Sequence, residues 1–183
     1  MSEILDAKES AILVIDMQKD FCYSSGSLFV EWSKKIVDDL NKLLKRGRER
    51  GVSIVFTQDW HSPDDPEFSI WGKHCVAHTT GAEIIDELPK GGHKIKSRHY
   101  NKFEESDLDS YLKQRKIKNL LFTGVFTNMC VLYTATNATT KGYRVIILKN
   151  CVAAPSDYEH EYGLYHLSLL KAEITTSKSI KLE

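Results

Sequence analysis

The sequence has no surplus of charge of either sign: 25 basic residues stand against 25 acidic ones in 183 residues. A nucleic-acid binder carries a basic excess or stripe, and a membrane-surface protein a polybasic cluster, so neither partner is expected. The basic run Lys42, Lys45, Arg46, Arg48 and Arg50 reads as the solvated face of a helix. Long hydrophobic runs are also missing, none approaching the roughly 20 residues that span a bilayer. The polar, acidic start from Met1 to Glu9 is unlike a secretory signal, so the expected location is cytoplasmic. Cysteine is sparse, and Cys22, Cys75, Cys130 and Cys151 show no CxxC spacing, which excludes a zinc knuckle or a disulfide framework. There is no internal repeat, no low-complexity linker and no Gly-rich loop ending in Lys-Ser or Lys-Thr after a strand. With 42% apolar residues, a single domain over residues 1–183 can build its own core.

What is present is an alternation. Six short apolar runs (11–15, 53–57, a weaker 93–96, 120–123, 145–148 and 173–176) are separated by longer stretches of helical period. Apolarity without alternation suits strands buried on both faces of a parallel sheet. Ile36, Leu40, Leu43 and Leu44 predict a helix from Ser33, as its cap, to Arg50, with Gly51 closing it. Further helices are predicted from Ser106 to Arg115, from Cys130 to Gly142, and from Ser156, where Glu159 completes a capping box. The expected fold is a doubly wound α/β sandwich: a mostly parallel six-stranded sheet with helices on both faces. The segment from Trp60 to Thr80, with His61, His74 and His78, has no clean period and reads as a functional loop.

Cys130 stands where an apolar strand gives way to a helix. A thiol in the first turn faces unpaired N–H groups and the positive end of the dipole, which favour the thiolate. Asp16 follows the first buried strand, where poor solvation raises a carboxylate's pKa and suits it to moving protons. Lys96, at the end of the third strand, is the expected cation beside it, with Lys94 on the same strand face as the competing choice. All three lie at strand ends, which a doubly wound sheet can gather into one crevice. Asp59, His61 and His74 form a donor set suited to zinc, with manganese or iron(II) as alternatives, and Glu67 could add a further oxygen. Phe21, Trp71 and also Trp60 could wall a flat aromatic pocket.

From Ile12 to about Ser177 the chain resembles the isochorismatase-like cysteine hydrolases, and within them the nicotinamidases and pyrazinamidases. The carrying segments are Ile15-Asp16-Met17-Gln18-Lys19-Asp20-Phe21, Thr57-Gln58-Asp59-Trp60-His61, Trp71-Gly72-Lys73-His74, Lys96 through Phe103, and Gly124-Val125-Phe126-Thr127-Asn128-Met129-Cys130. The resemblance implies Cys130 as nucleophile, Asp16 as acid/base, a catalytic lysine at Lys96 or Lys94, and a metal at Asp59, His61 and His74. It further implies a cis peptide between Val125 and Phe126 and an oxyanion hole from the N–H groups of Phe126 and Cys130. Phe126 stands where alanine is usual and would enter the substrate pocket with Phe21 and Trp71. The implied reaction is hydrolysis of nicotinamide to nicotinate and ammonia through a thioester, in a protein that associates with copies of itself. Rival readings are another amide, ureido or vinyl-ether substrate, and a catalytically silent interaction domain. A phosphotransfer enzyme would carry an aspartate where Gln18 stands.

Overall fold

The apolar runs become strands of one parallel sheet in the computed structural model, which describes residues 3–183. In chain order the elements are β1 (Glu3–Leu5), β2 (Ser10–Ile15), α1 (Lys19–Cys22), α2 (Ser33–Glu49), β3 (Ser53–Asp59), α3 (Phe68–Trp71) and β4 (His93–Ser97). There follow α4 (Leu108–Gln114), β5 (Asn119–Val125), α5 (Cys130–Thr140), β6 (Arg144–Ala153), α6 (Asp157–Leu169), β7 (Glu173–Thr175) and β8 (Ile180–Leu182). The sheet runs β4-β3-β2-β5-β6-β7, and every pairing is parallel. All six predicted runs are these strands. The sequence reading did not include β1 and β8, which pair with each other in parallel near the chain ends.

Alternation along β2 shows how the two layers form. Ile12 and Val14 face α2 and its Ile36, Leu40, Leu43 and Leu44. Ala11, Leu13 and Ile15 face the opposite layer, where α4, α5 and α6 contribute Leu112, Val131, Ala135 and Leu167. Both faces are covered, so the middle strands are apolar throughout. Gly51 closes α2 at φ +71, as predicted. Ser33 does not cap it: the cap position is Trp32, and the Ser33 side chain is buried inside the first turn. Ser156 does cap α6, accepting from the Glu159 N–H while its hydroxyl donates to Glu159 Oε2 at 2.6 Å. Among the described residues no helix is long and apolar enough to cross a membrane.

The chain turns to β3 and β4 on one side of β2 and to β6 and β7 on the other side of β5. The strand order therefore reverses between β2 and β5, and their carboxyl ends open the crevice where such sheets bind ligands. Gly124 makes the closeness possible: at φ +100, a Cβ there would lie 2.0 Å from the Ile15 carbonyl oxygen. Asp16 and the loop before Cys130 leave the sheet side by side at this point.

Candidate active site

Asp16 is fully buried after β2, in a left-handed conformation at φ 47. Thr57, on the neighbouring strand, receives the Asp16 N–H at 3.1 Å and donates its hydroxyl to Asp16 Oδ1 at 2.6 Å. Asp16 Oδ2 receives neither the Thr57 hydroxyl nor a backbone N–H; it faces the Lys102 ammonium at 3.0 Å and is the oxygen left to take a proton. Burial and the nearby Asp59 raise the Asp16 pKa, against the opposing pull of Lys102 and Thr57.

The lysine beside it is not the expected one. Lys102 has no exposed surface, and its Nζ lies 3.0 Å from Asp16 Oδ2 and 2.8 Å from Asp59 Oδ1. Lys96 and Lys94 are both solvent-exposed, and Lys96 Nζ sits 3.7 Å above the Trp60 ring at a separate cavity. The direction of strand β4 explains the correction. Its Ile95 and Ser97 turn inward while Lys94 and Lys96 turn outward. The following loop then folds back on α5, with the Lys102 N–H on Thr134 Oγ1 at 3.1 Å and that hydroxyl on Tyr100 O. Burial alone would depress the lysine, but Asp16, Asp59 and Cys130 outweigh it and hold Lys102 charged, well above the ordinary lysine value.

Cys130 is the first residue of α5 and is buried. Burial and the adjacent Asp16 carboxylate push the thiol well up, and Lys102 only partly offsets them. The site holds a thiol, a carboxylate able to accept its proton, and a fixed cation. That set can generate a nucleophile on demand and stabilise the resulting charge separation. The Val125–Phe126 peptide is cis. The Phe126 carbonyl accepts from Met129 and Val131, and the Thr127 N–H binds Ala153 O. Among the described residues, neither the Phe126 nor the Cys130 N–H donates to a backbone carbonyl. Both are free to receive a developing oxyanion.

The loop that lacked periodicity is ordered by backbone pairing. The His61 N–H binds Cys75 O at 3.1 Å and Ala77 N–H binds His61 O at 2.8 Å, which brings His74 beside His61. Their ring centroids are 4.7 Å apart, and Phe68 and Phe21 pack against them. His61 Nε2 lies 2.9 Å and His74 Nε2 3.4 Å from the same oxygen, Asp59 Oδ2. His74 Nδ1 is held by Gly72 O at 2.8 Å, and His61 Nδ1 lies 3.1 Å from Asp65 Oδ2 as an ion-pair contact. With the outer nitrogen of His74 so held, both Nε2 atoms and a carboxylate oxygen converge on one buried point. Such a donor set fits a divalent ion, and the partners on the outer nitrogens are those that orient metal-binding histidines. Burial raises Asp59, but Lys102 and bonds from His61 and His74 reverse this and hold it below the usual carboxylate range. Glu67 Oε1 is buried and unpartnered, and a second possible donor group joins Glu67 with His61 and Asp65.

A cavity of about 380 Å³ connects these groups. Cys130, Asp59, His74 and Glu67 open into it, and Phe21, Trp71 and Phe126 are among its apolar walls. Trp60 is elsewhere, beside His78 and Lys96. The sequence reading missed Lys102, Thr57 as a partner of Asp16, and Gln18. The buried Gln18 side chain clamps the backbone of Asp59, donating to its carbonyl at 2.8 Å and accepting its N–H at 2.7 Å. No local pattern singled out Lys102, which follows no apolar run and closes no strand.

Residues 10–179 match the isochorismatase domain family, and the chain belongs to it. Three solved structures show the breadth of its relatives. A pyrazinamidase of Pyrococcus horikoshii in complex with zinc is 31% identical, with TM-score 0.86 over 92% of this chain and 99% of the other. Nicotinamidase/pyrazinamidase PncA from Bacillus subtilis is 30% identical, with TM-score 0.86 over 91% and 99%. N-carbamoylsarcosine amidase from Thermoplasma acidophilum is 30% identical, with TM-score 0.83 over 92% and 96%. Enzymes acting on different amides thus share this architecture.

Proposed function

We propose that the protein is a metal-containing cysteine amidohydrolase that converts nicotinamide to nicotinate and ammonia. One observation carries the reading: Asp59 and His74 of the Asp59–His61–His74 donor set line the same aromatic-walled cavity as Cys130. A flat heteroaromatic amide fits that combination. The names of the pyrazinamidase and nicotinamidase relatives, and the zinc in one of them, support the reading and make zinc the first choice of ion. Among the described residues the cavity lining includes no lysine or arginine.

In the proposed mechanism Asp16 Oδ2 takes the proton of Cys130 as the sulfur attacks the carboxamide carbon. Lys102 stabilises the pair of charges, and the N–H groups of Phe126 and Cys130 receive the oxyanion. Asp16 returns the proton to departing ammonia, then takes one from the water that cleaves the thioester and gives it to the leaving Cys130 sulfur, which restores the thiol as nicotinate departs. Asp59, His61 and His74 would hold the ion, which when bound supplies an acceptor for the ring nitrogen and so orients the substrate.

The test is ammonia release from nicotinamide by wild type and Cys130→Ala, each chelator-treated and metal-restored. Turnover should require Cys130, and chelation should raise KM strongly while iodoacetamide still labels Cys130. Turnover in Cys130→Ala would refute the mechanism, and loss of labelling on chelation would refute the positioning role of the ion. No turnover by metal-restored wild type would reject nicotinamide as substrate.

A further inference from the structure

A second cavity, of about 500 Å³, shares no lining residue with the catalytic one. The alternation along β4 that turns Lys94 and Lys96 away from Asp16 turns them into this cavity, beside Phe56 and Gln58 of the neighbouring strand. Its walls are held in place rather than left loose. The buried Gln58 side chain donates to Ala82 O at 2.7 Å, and Arg48 Nη2 donates to Lys90 O at 2.6 Å, which fixes the segment leading into β4.

Charge sets this cavity apart. Lys90, Lys94 and Lys96 line it, and among the described residues none of the three has a carboxylate at ion-pair distance. The two carboxylates of the lining, Glu83 and Asp86, are both engaged by Lys19, at 2.8 and 3.1 Å. A single exposed lysine needs no explanation. Three without a counter-charge, around one cavity with an indole in its wall, define a ligand. Lys96 Nζ lies 3.7 Å above the Trp60 ring, so a face of that ring is open to a cation or a flat group. His78 packs edge-on against the indole, with centroids 5.4 Å apart, and steadies it. A lone carboxylate is too small to answer three ammonium groups. A phosphate, with up to two charges and three free oxygens, answers them as point donors. The cavity also has the volume for a ring beside that phosphate.

We infer that this cavity binds a phosphorylated heteroaromatic compound of nucleoside-monophosphate size, its ring on Trp60 and its phosphate among Lys90, Lys94 and Lys96. On binding, the Lys96 ammonium moves from the indole face to the phosphate and the ring takes its place. The inference does not depend on the substrate of the catalytic cavity. Calorimetric titration of the full chain with AMP at low ionic strength tests it, with adenosine and inorganic phosphate as separate arms. AMP should bind saturably at one site, about tenfold or more tighter than either fragment, and more weakly as salt is added. Lys94→Ala with Lys96→Ala should weaken AMP about tenfold, and so should Trp60→Leu, each with unchanged circular dichroism. Wild type without saturable AMP binding, an affinity indifferent to the lysine pair or to Trp60→Leu, or phosphate alone binding as tightly as AMP would each overturn the inference.

Discussion

Replacing Lys102 with methionine keeps most of the side chain's volume and removes its charge. The two carboxylates it bridges, at 3.0 and 2.8 Å and both buried, would then face each other without the lysine between them. Removing one partner of a buried ion pair costs about 3–5 kcal/mol, because the remaining charge is left uncompensated. For a chain of this length that corresponds to a fall in Tm of about 6–20 °C. Lys96→Met removes only an exposed contact with Trp60 and should cost no more than about 1 kcal/mol. The pH dependence follows from the directions of the shifts. Asp59 is held below its ordinary value, so its contribution is present above the unfolded value of about 3.9 and is lost as pH falls through the lower folded one. Lys102 is held above its ordinary value, so its contribution is complete below about 10.4 and is lost as pH rises through the folded value. The variant should therefore lose most at neutral pH and least in acid, where Asp16, already raised, takes a proton and removes one of the opposed charges. Urea unfolding of both variants in chelator, from acid to neutral pH, is the assay. A Lys102→Met protein as stable as Lys96→Met at neutral pH would refute the reasoning.

Thr57→Val removes the donor to Asp16 Oδ1 and should destabilise by roughly 1–2 kcal/mol. Losing that bond also raises Asp16 further, so the acid limb of kcat/KM should move to higher pH; an unmoved limb would remove Asp16 from the role of base. Gly124→Ala places a methyl group 2.0 Å from Ile15 O at a φ open mainly to glycine, and should cost more than about 4 kcal/mol or abolish soluble expression. Near-wild-type thermal stability in that variant would contradict the described approach of β5 to β2.

The sequence made the sheet legible because burial on both faces leaves continuous apolar runs, and each of the six runs is a strand. It also located Asp16 and Cys130, since a polar or nucleophilic residue at the end of such a run has nowhere to go but the sheet edge. The cap at Ser156 was equally local: a hydroxyl and the N–H three residues on meet whenever the helix forms. Ser33 shows the limit, because tertiary packing took the residue with the right chemistry into the helix and left Trp32 at the cap position.

The lysine was decided elsewhere. Lys96 had the better address in sequence, at a strand end, but side chains alternate along a strand and its turn fell outward. Lys102 reaches Asp16 only because the loop after β4 folds onto Thr134 of α5, a contact set by three-dimensional packing that no local pattern encodes. The thiol gives the same lesson with the sign changed. Helix position favours a thiolate, yet burial and the facing carboxylate push the Cys130 thiol well up. Local sequence thus determined which residues stand at the strand ends of this protein. Tertiary structure decided which charges meet there, because desolvation and Coulomb terms depend on distances that only the folded chain defines.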